Sequence, residues 1–251
     1  GAPANASAEK GLAIATETAE RDEGFGDFAV EGQMVLKNKA GKESVRKFKS
    51  TTLENTNPGE GDKSIIVFSE PRDVRGTALL THSMIEPNDD SQWIFLPALK
   101  RVKRISSSNR TGKFVSSEFS YEDLGSEEVD DNTHNWVEDA PCPTDAALTC
   151  ATVESVPKNK KSGYSKRVSY TDMDEYRVHR IEFYNRRGDL EKILTFNDYR
   201  QYQGKFWRAH DMVMENVQTG KSTRLSWGDY VFDAGLADRA FTPQALEKAS
   251  R

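Results

Sequence analysis

Four histidines, His82, His134, His179 and His210, are the side chains of this 251-residue chain best suited to move a proton near neutral pH. They fall on separate candidate strands with no paired spacing, and the chain has no HExxH, GxSxG, CxxC or glycine-rich phosphate loop. Isolated strand histidines of this kind predict packed or surface residues. Carboxylates come in neighbouring pairs: Asp89-Asp90, Glu122-Asp123, Glu127-Glu128 and Asp130-Asp131. A glycosidase needs two carboxyls facing across a cleft. Adjacent strand residues point to opposite faces, so these pairs read as solvated turns. Glu86, Asn88, Asp89 and Asp90 lack calcium-loop spacing. No nucleophile, base and orienting group can be assembled from spacing, which ranks an enzyme last. No catalytic residue, metal or cofactor is expected.

Three other groups carry physical meaning. Cys142 and Cys150, in APCPTDAALTC, are eight positions apart in a polar loop, with no third or fourth zinc ligand nearby. A small disulfide ring in an oxidising compartment is the favoured reading; two free thiols in a cytosolic loop is the alternative. Lys100, Arg101, Lys103, Arg104, Arg110 and Lys113 form a basic cluster in an otherwise acidic chain. It is either a soluble loop or a docking surface for anionic headgroups or an acidic partner. Met34, Met84, Met173, Met212 and Met214 serve as core filler or as the adaptable lining of a pocket for variable apolar cargo.

The composition bounds the possibilities. Apolar residues are 36%, charged residues 30%, and the formal net charge is −5. This describes a thin core with extensive wet surface, and it weighs against a general nucleic-acid binder. No apolar run approaches the roughly 20 residues of a membrane span. The start GAPANASAEKG reads as processed, with any export signal already removed.

The elements that must position these groups are mostly strands. Residues 6–21 read as a weakly amphipathic helix, with Leu12, Ala15 and Ala19 on one face and Ile14 beside it. Strand-like runs follow at 28–38, 43–55, 63–70, 76–82, 91–97, 133–139, 148–157, 164–172, 176–185, 190–201, 205–217 and 221–232. Turn residues at 39–41, 57–59, 187–189 and 219–221 separate some of them. The pattern gives about 10–12 strands linked mostly by hairpins, as one antiparallel sheet or barrel. A short helix is expected over 243–250. Gly32 leaves a gap in its strand that could admit a close approach. Sheets with one greasy face must cover it, and the few helical residues leave room for a partly hollow interior.

SEPRDVRGTALL (69–80), DDSQWIFLPALKRVKRIS (89–106) and GKFVSSEFSYEDL (112–124) together resemble the LolA-like outer-membrane lipoprotein-sorting family. The similarity is to the branch found with RND-type (MMPL-like) inner-membrane exporters. YSK (164–166), RIEFYNRRGDLEK (180–192) and MENVQTGKSTRL (214–225) follow the same pattern, so the likeness spans about residues 20–235. The resemblance implies a mainly β (α+β) fold: an incomplete antiparallel β-barrel curled round a hydrophobic cavity and lidded by short helices. It implies one domain over 1–251, with a half-barrel at about 28–232. It also implies a periplasmic carrier of lipid or acylated cargo. One position departs from the narrow lipoprotein carriers: Glu70, not Arg, precedes Pro71, and Arg72 follows it. That carrier's lid-latching arginine is therefore not carried over.

The leading expectation is a periplasmic protein that binds acyl chains and moves them between inner and outer membranes, with transient membrane contact and an RND-type exporter as partner. The alternative is an adaptor that docks on such an exporter without cargo. The expected cavity residues are Met34, Leu36, Phe68, Leu80, Trp93, Phe95, Phe183, Leu194, Phe196, Met212, Met214, Leu225 and Trp227. Leu12, Phe114, Phe119 and Tyr121 are the expected lid or rim, and Lys100, Arg101, Lys103 and Arg104 the docking surface. A slip of one residue in any strand would invert its facing.

Overall fold

The computed structural model describes residues 2–251, with side chains from Asn5 onward. In chain order, helix α1 (Ala2–Arg21) precedes strands β1 (Asp27–Lys37), β2 (Glu43–Leu53), β3 (Glu60–Glu70), β4 (Ala78–Met84), β5 (Ser91–Leu96) and β6 (Arg101–Ile105). Then come β7 (Asn132–Pro141), β8 (Thr149–Pro157), β9 (Tyr164–Asp172), β10 (Val178–Asn185), β11 (Leu190–Tyr202) and β12 (Phe206–Asn216). The chain ends with β13 (Ser222–Trp227), β14 (Val231–Phe232) and helix α2 (Pro243–Ala249). The fold is mainly β, with antiparallel hairpin pairing, as expected. The additional strands relative to the sequence reading are β6 and β14. The run RVKRI of β6 is mostly cationic, and only pairing with β5 makes it a strand.

The chain divides into two compact units. The residues up to Glu23 together with Glu127–Ser222 form the first; Gly24–Ser126 together with Thr223–Arg251 form the second. In the first unit the strand order is β12-β11-β10-β9-β8-β7. Its hairpins close on side-chain caps: Asn185 Oδ1 accepts from the Arg187 and Asp189 amides, and Asn216 Oδ1 from those of Gln218 and Thr219. Cys142 and Cys150 are joined in a disulfide across the β7–β8 connection. Helix α1 lies against β7. Its packed face is Gly11 and Ile14 with Ala15, Thr18 and Ala19, which keeps Ile14, Ala15 and Ala19 of the stripe expected, whereas Leu12 is 48% exposed and Gly11 is buried in its place. The physical reason is close approach. A Cβ at Gly11 would lie 2.8 Å from the backbone nitrogens of Asn135 and Trp136, so only glycine lets the helix come this near.

In the second unit the order is β6-β5-β4-β3-β2-β1-β13, with β14 on β1. Both faces are packed. On one, Phe48, Phe68 and Phe114 are buried, with Phe48 6.3 Å from Phe68 and Phe114 5.6 Å from it. The gap at Gly32 is taken by the Phe48 ring, 2.7 Å from where a Cβ would stand. On the other, Ile65, Ala78, Leu80 and Phe95 close against Phe241 and Leu246 of the C-terminal segment. Thr242 caps α2, its Oγ1 accepting from the Ala245 amide. No helix among the described residues is long and apolar enough to cross a membrane.

Candidate functional site

The first unit carries the candidate site, because α1 covers its sheet without filling the space beneath. By register Val153, Ser169, Ile181, Leu194 and Met214 stand in one row across β8 to β12. Phe196 and Met212 make the next row. Arg167, Phe183 and Lys192 make the row on the other side. Two adjoining cavities open on this face. The larger, about 540 Å3, is lined by Thr18 and Ala19 of α1 and by Val178, Ile181, Phe196, Tyr199 and Trp207, together with charged Arg21, Glu175, Arg177 and Arg208. The smaller, about 210 Å3, shares Thr18, Ala19, Val178 and Ile181 and adds Ile14, Val153, Asn132 and Arg167. The larger falls within the roughly 300–1,000 Å3 typical of small-molecule sites.

Helix α1 is tied down at its middle and at its C-terminal end. The Lys10 ammonium sits 3.7 Å over the Trp136 ring and 3.7 Å from Asp139. At its C-terminal end Arg208 bonds Asp22 at 2.6 Å, Arg21 lies 3.7 Å from Glu175, and Lys205 donates to the Glu23 carbonyl at 2.6 Å. Exposed ion pairs of this kind contribute only about 0.2–1 kcal/mol each. Between them the helix offers Ile14, which packs on Ala151 and Val153, and otherwise small residues. It is a strap over a hollow, held by weak ties.

Behind the cleft wall lies a buried polar network. Asp172, fully buried, accepts from Arg177 Nε at 2.9 Å and from the Glu175 amide at 2.7 Å, and pairs with His179 Nε2 at 2.7 Å. Burial pushes this carboxyl upward, but the bonds from His179, Glu175 and Arg177 outweigh it and hold it well below the usual carboxylate range. The other ring nitrogen of His179 meets Thr144 Oγ1 at 2.8 Å. Sequence spacing did not reveal this Thr144–His179–Asp172 line, because its members come from a loop and two strands. The same atom order serves acyl transfer. Here Thr144 sits on the disulfide loop and is not among the residues lining either cavity. The network ties that loop and the Arg177 guanidinium, which lies 4.5 Å over Trp207, to the sheet. Burial also raises the Tyr199 phenol, whose hydroxyl donates to the Val178 carbonyl. Among the described residues, Cys142, Cys150 and His179 have donor atoms within 4.8 Å of one another, but both sulfurs are committed to the disulfide.

The expected site residues divide between the units. Phe183, Leu194, Phe196, Met212 and Met214 share the face beneath α1, and Phe196 lines the larger cavity. Met34, Leu36 and Phe68 belong to the second unit, where Met34 and Phe68 are buried. Leu80, Trp93 and Phe95 lie on the opposite face of that sheet, in the cluster closed by Phe241 and Leu246. The thirteen therefore do not share one surface. Leu225 is buried on β13, and Trp227 packs edge-on against Phe48. Phe114 and Phe119 are buried and Tyr121 half-buried, packed inside the second unit rather than exposed on a rim. Lys100, Arg101, Lys103 and Arg104 are exposed at β6, with Arg104 5.4 Å over Trp93. Val178, Ile181 and Arg177, which line the groove, lie in the candidate strand at 176–185 but were not singled out. The bulge between Val178 and Arg180, which puts Val178 and Ile181 on one wall, has no signal in the sequence.

A protein-family model described as "Uncharacterized protein" matches residues 60–248. No curated protein matches the chain. A solved structure described as an outer membrane lipoprotein-sorting protein domain from Vibrio parahaemolyticus is 46% identical, with a TM-score of 0.91, covering 96% of this chain and 99% of that one. A DUF1329 family protein from Desulfovibrio piger is 29% identical, with a TM-score of 0.89 and the same coverage. A LolA superfamily protein from Nitrosomonas europaea, 19% identical with a TM-score of 0.71 over 92% of this chain and 96% of that one, shares the fold. The chain belongs to the outer-membrane lipoprotein-sorting protein domain family of the Vibrio structure.

Proposed function

We propose that this protein is a periplasmic carrier that shelters the acyl chains of a lipid or lipoprotein in the groove beneath α1 and moves them between inner and outer membranes. The observation that carries the reading is the apolar wall of Val153, Val178, Ile181 and Phe196 beside a helix held by Lys10 and Ile14 at its middle and by weak ion pairs at its C-terminal end. Each methylene sheltered from water contributes about 0.8 kcal/mol, so a long chain left bare would not cross an aqueous gap. A helix held by weak surface pairs can lift to load and release. The sorting description of the Vibrio relative supports the cargo class. The disulfide supports an oxidising compartment. The two units act as one carrier domain in this reading, and cargo is handed on without covalent change.

Native mass spectrometry of gently extracted protein tests the idea, together with uptake of a fluorescent fatty acid. A lipid-sized adduct and uptake lost in Ile181→Asp are expected. No adduct and no uptake would sink it. A second reading rests on the exposed cations of β6: the protein docks there on an RND-type exporter, with or without cargo. Charge reversal at Arg101 and Arg104 abolishes exporter binding if so, and retained binding removes β6 from the account.

A further inference from the structure

Resting on the carrier reading, we propose that the larger cavity selects an amphiphile with an acidic head, a carboxylate or a phosphate, through the free end of the Arg177 guanidinium. Two contacts fix this side chain. Its Nε donates to the fully buried Asp172 at 2.9 Å, and the guanidinium lies 4.5 Å over the Trp207 ring. Trp207 is held in turn, its Nε1 donating to Glu175 Oε2 at 3.4 Å. Nη1 and Nη2 of Arg177 have no hydrogen-bond partner among the described residues. They are not shut away either: the side chain is 16% exposed, and neither nitrogen belongs to the buried atoms that lack a partner. Arg177 and Trp207 both line the cavity. An arginine already fixed at Nε and on one face loses little freedom when its remaining fork closes on two oxygens.

The surrounding charge favours an anion. Arg21, Arg177, Lys205 and Arg208 line the cavity against two carboxylates, Asp22 and Glu175. Both carboxylates are engaged: Asp22 accepts from Arg208 at 2.6 Å, and Glu175 accepts from Trp207 and lies 3.7 Å from Arg21. Lys205 donates to the Glu23 carbonyl at 2.6 Å and has no carboxylate partner among the described residues. An acid head is attracted by this excess of cations, and an ammonium head is repelled by it. Val178, Ile181 and Phe196 line the same cavity and receive the chain. A free inorganic anion could use the fork but none of that apolar wall.

The test displaces a bound fluorescent fatty acid from the purified chain at neutral pH. The competitors share one chain length: dodecyl phosphate, laurate and monolauroylglycerol, with inorganic phosphate as the chainless control. The two acids are expected to displace about tenfold to a hundredfold better than the glycerol ester, the ratio of a charge-assisted pair to none. That lead should shrink as salt is raised, and inorganic phosphate should not compete. Arg177→Met alone would strand the buried Asp172 carboxylate, so it is combined with Asp172→Asn, which removes both partners together. In the double variant the lead of the acids should vanish while the glycerol ester still displaces. Where that variant does not fold, the comparison in the unaltered protein decides. Equal displacement by the acids and the ester overturns the inference and leaves the carrier reading standing. A lead that survives in the double variant also overturns it. Inorganic phosphate competing as well as dodecyl phosphate overturns it too, and makes this a site for free anions. No uptake of the fluorescent acid at all overturns the carrier reading, and this selection with it.

Discussion

Gly11→Ala should loosen the strap over the groove without unfolding the sheet beneath it. The added Cβ would stand 2.8 Å from the Asn135 and Trp136 nitrogens and 2.9 Å from the Asn135 carbonyl carbon, all backbone atoms that cannot swing aside. Ordinary contact needs about 3.5–4.0 Å, so the helix must back away by most of an ångström. Overpacking of this kind costs about 1–3 kcal/mol. Alanine returns up to about 1 kcal/mol through better helix propensity. The net change is therefore modest globally and concentrated where α1 meets β7. Withdrawal also weakens the Lys10 contact with Trp136 and the seating of Ile14 on Val153. Hydrogen exchange read by mass spectrometry should show α1 protection falling about 5- to 30-fold, as a change of one or two kcal/mol dictates. Protection of β1–β6 should be unchanged. Release of a bound fluorescent fatty acid should accelerate by a similar factor. Glu9→Ala, on the exposed side of α1, controls for a general effect on the helix. If Gly11→Ala leaves both α1 exchange and ligand release as they were, the close approach does not set the strap, and the reasoning is refuted.

Asp172→Asn should destabilise the first unit by about 3–5 kcal/mol at neutral pH, since it strips the partner of Arg177 and His179 in a buried site. The carboxyl is depressed in the folded state, so its contribution is complete above about pH 4, the unfolded carboxylate value, and fades as pH falls below that. The gap in Tm between variant and parent, followed by circular dichroism, should narrow in acid; a gap independent of pH would remove the charge from the account. Reducing the Cys142–Cys150 bond, or Cys142→Ser with Cys150→Ser, should cost about 2–3 kcal/mol from the short loop it closes, seen as a lower denaturation midpoint. Phe241→Ala should cost about 3–5 kcal/mol because the ring is 1% exposed in the cluster with Leu80 and Phe95. Exchange at β4 and β5 should rise with it, and no rise there would deny the C-terminal segment its part in that core.

The sequence alone determined the class of fold and most of the hairpins and favoured the covalent bridge, because each rests on local chemistry. Alternation from Val30 to Leu36, the turn at 187–189 and the eight-residue cysteine spacing need no distant partner to be legible. It also pointed to Phe196, which lines the larger cavity, and to Phe183, Leu194, Met212 and Met214, which share its sheet face by register but line neither cavity. Tertiary structure decided the facing. Leu80, Trp93 and Phe95 are as apolar as Phe68 but lie on the other side of their sheet, and only the docking of Phe241 and Leu246 closes that side as a separate core. The same holds for α1, where a weak stripe favoured Leu12 and the contact chose Gly11, because a helix without large side chains settles where its backbone can approach most closely. The His179 line to Thr144 and Asp172, and the seating of Arg177 on Trp207, arise from residues brought together across strands and loops. A pattern of period two records that a strand has two faces; which of them meets water is settled by what folds over it.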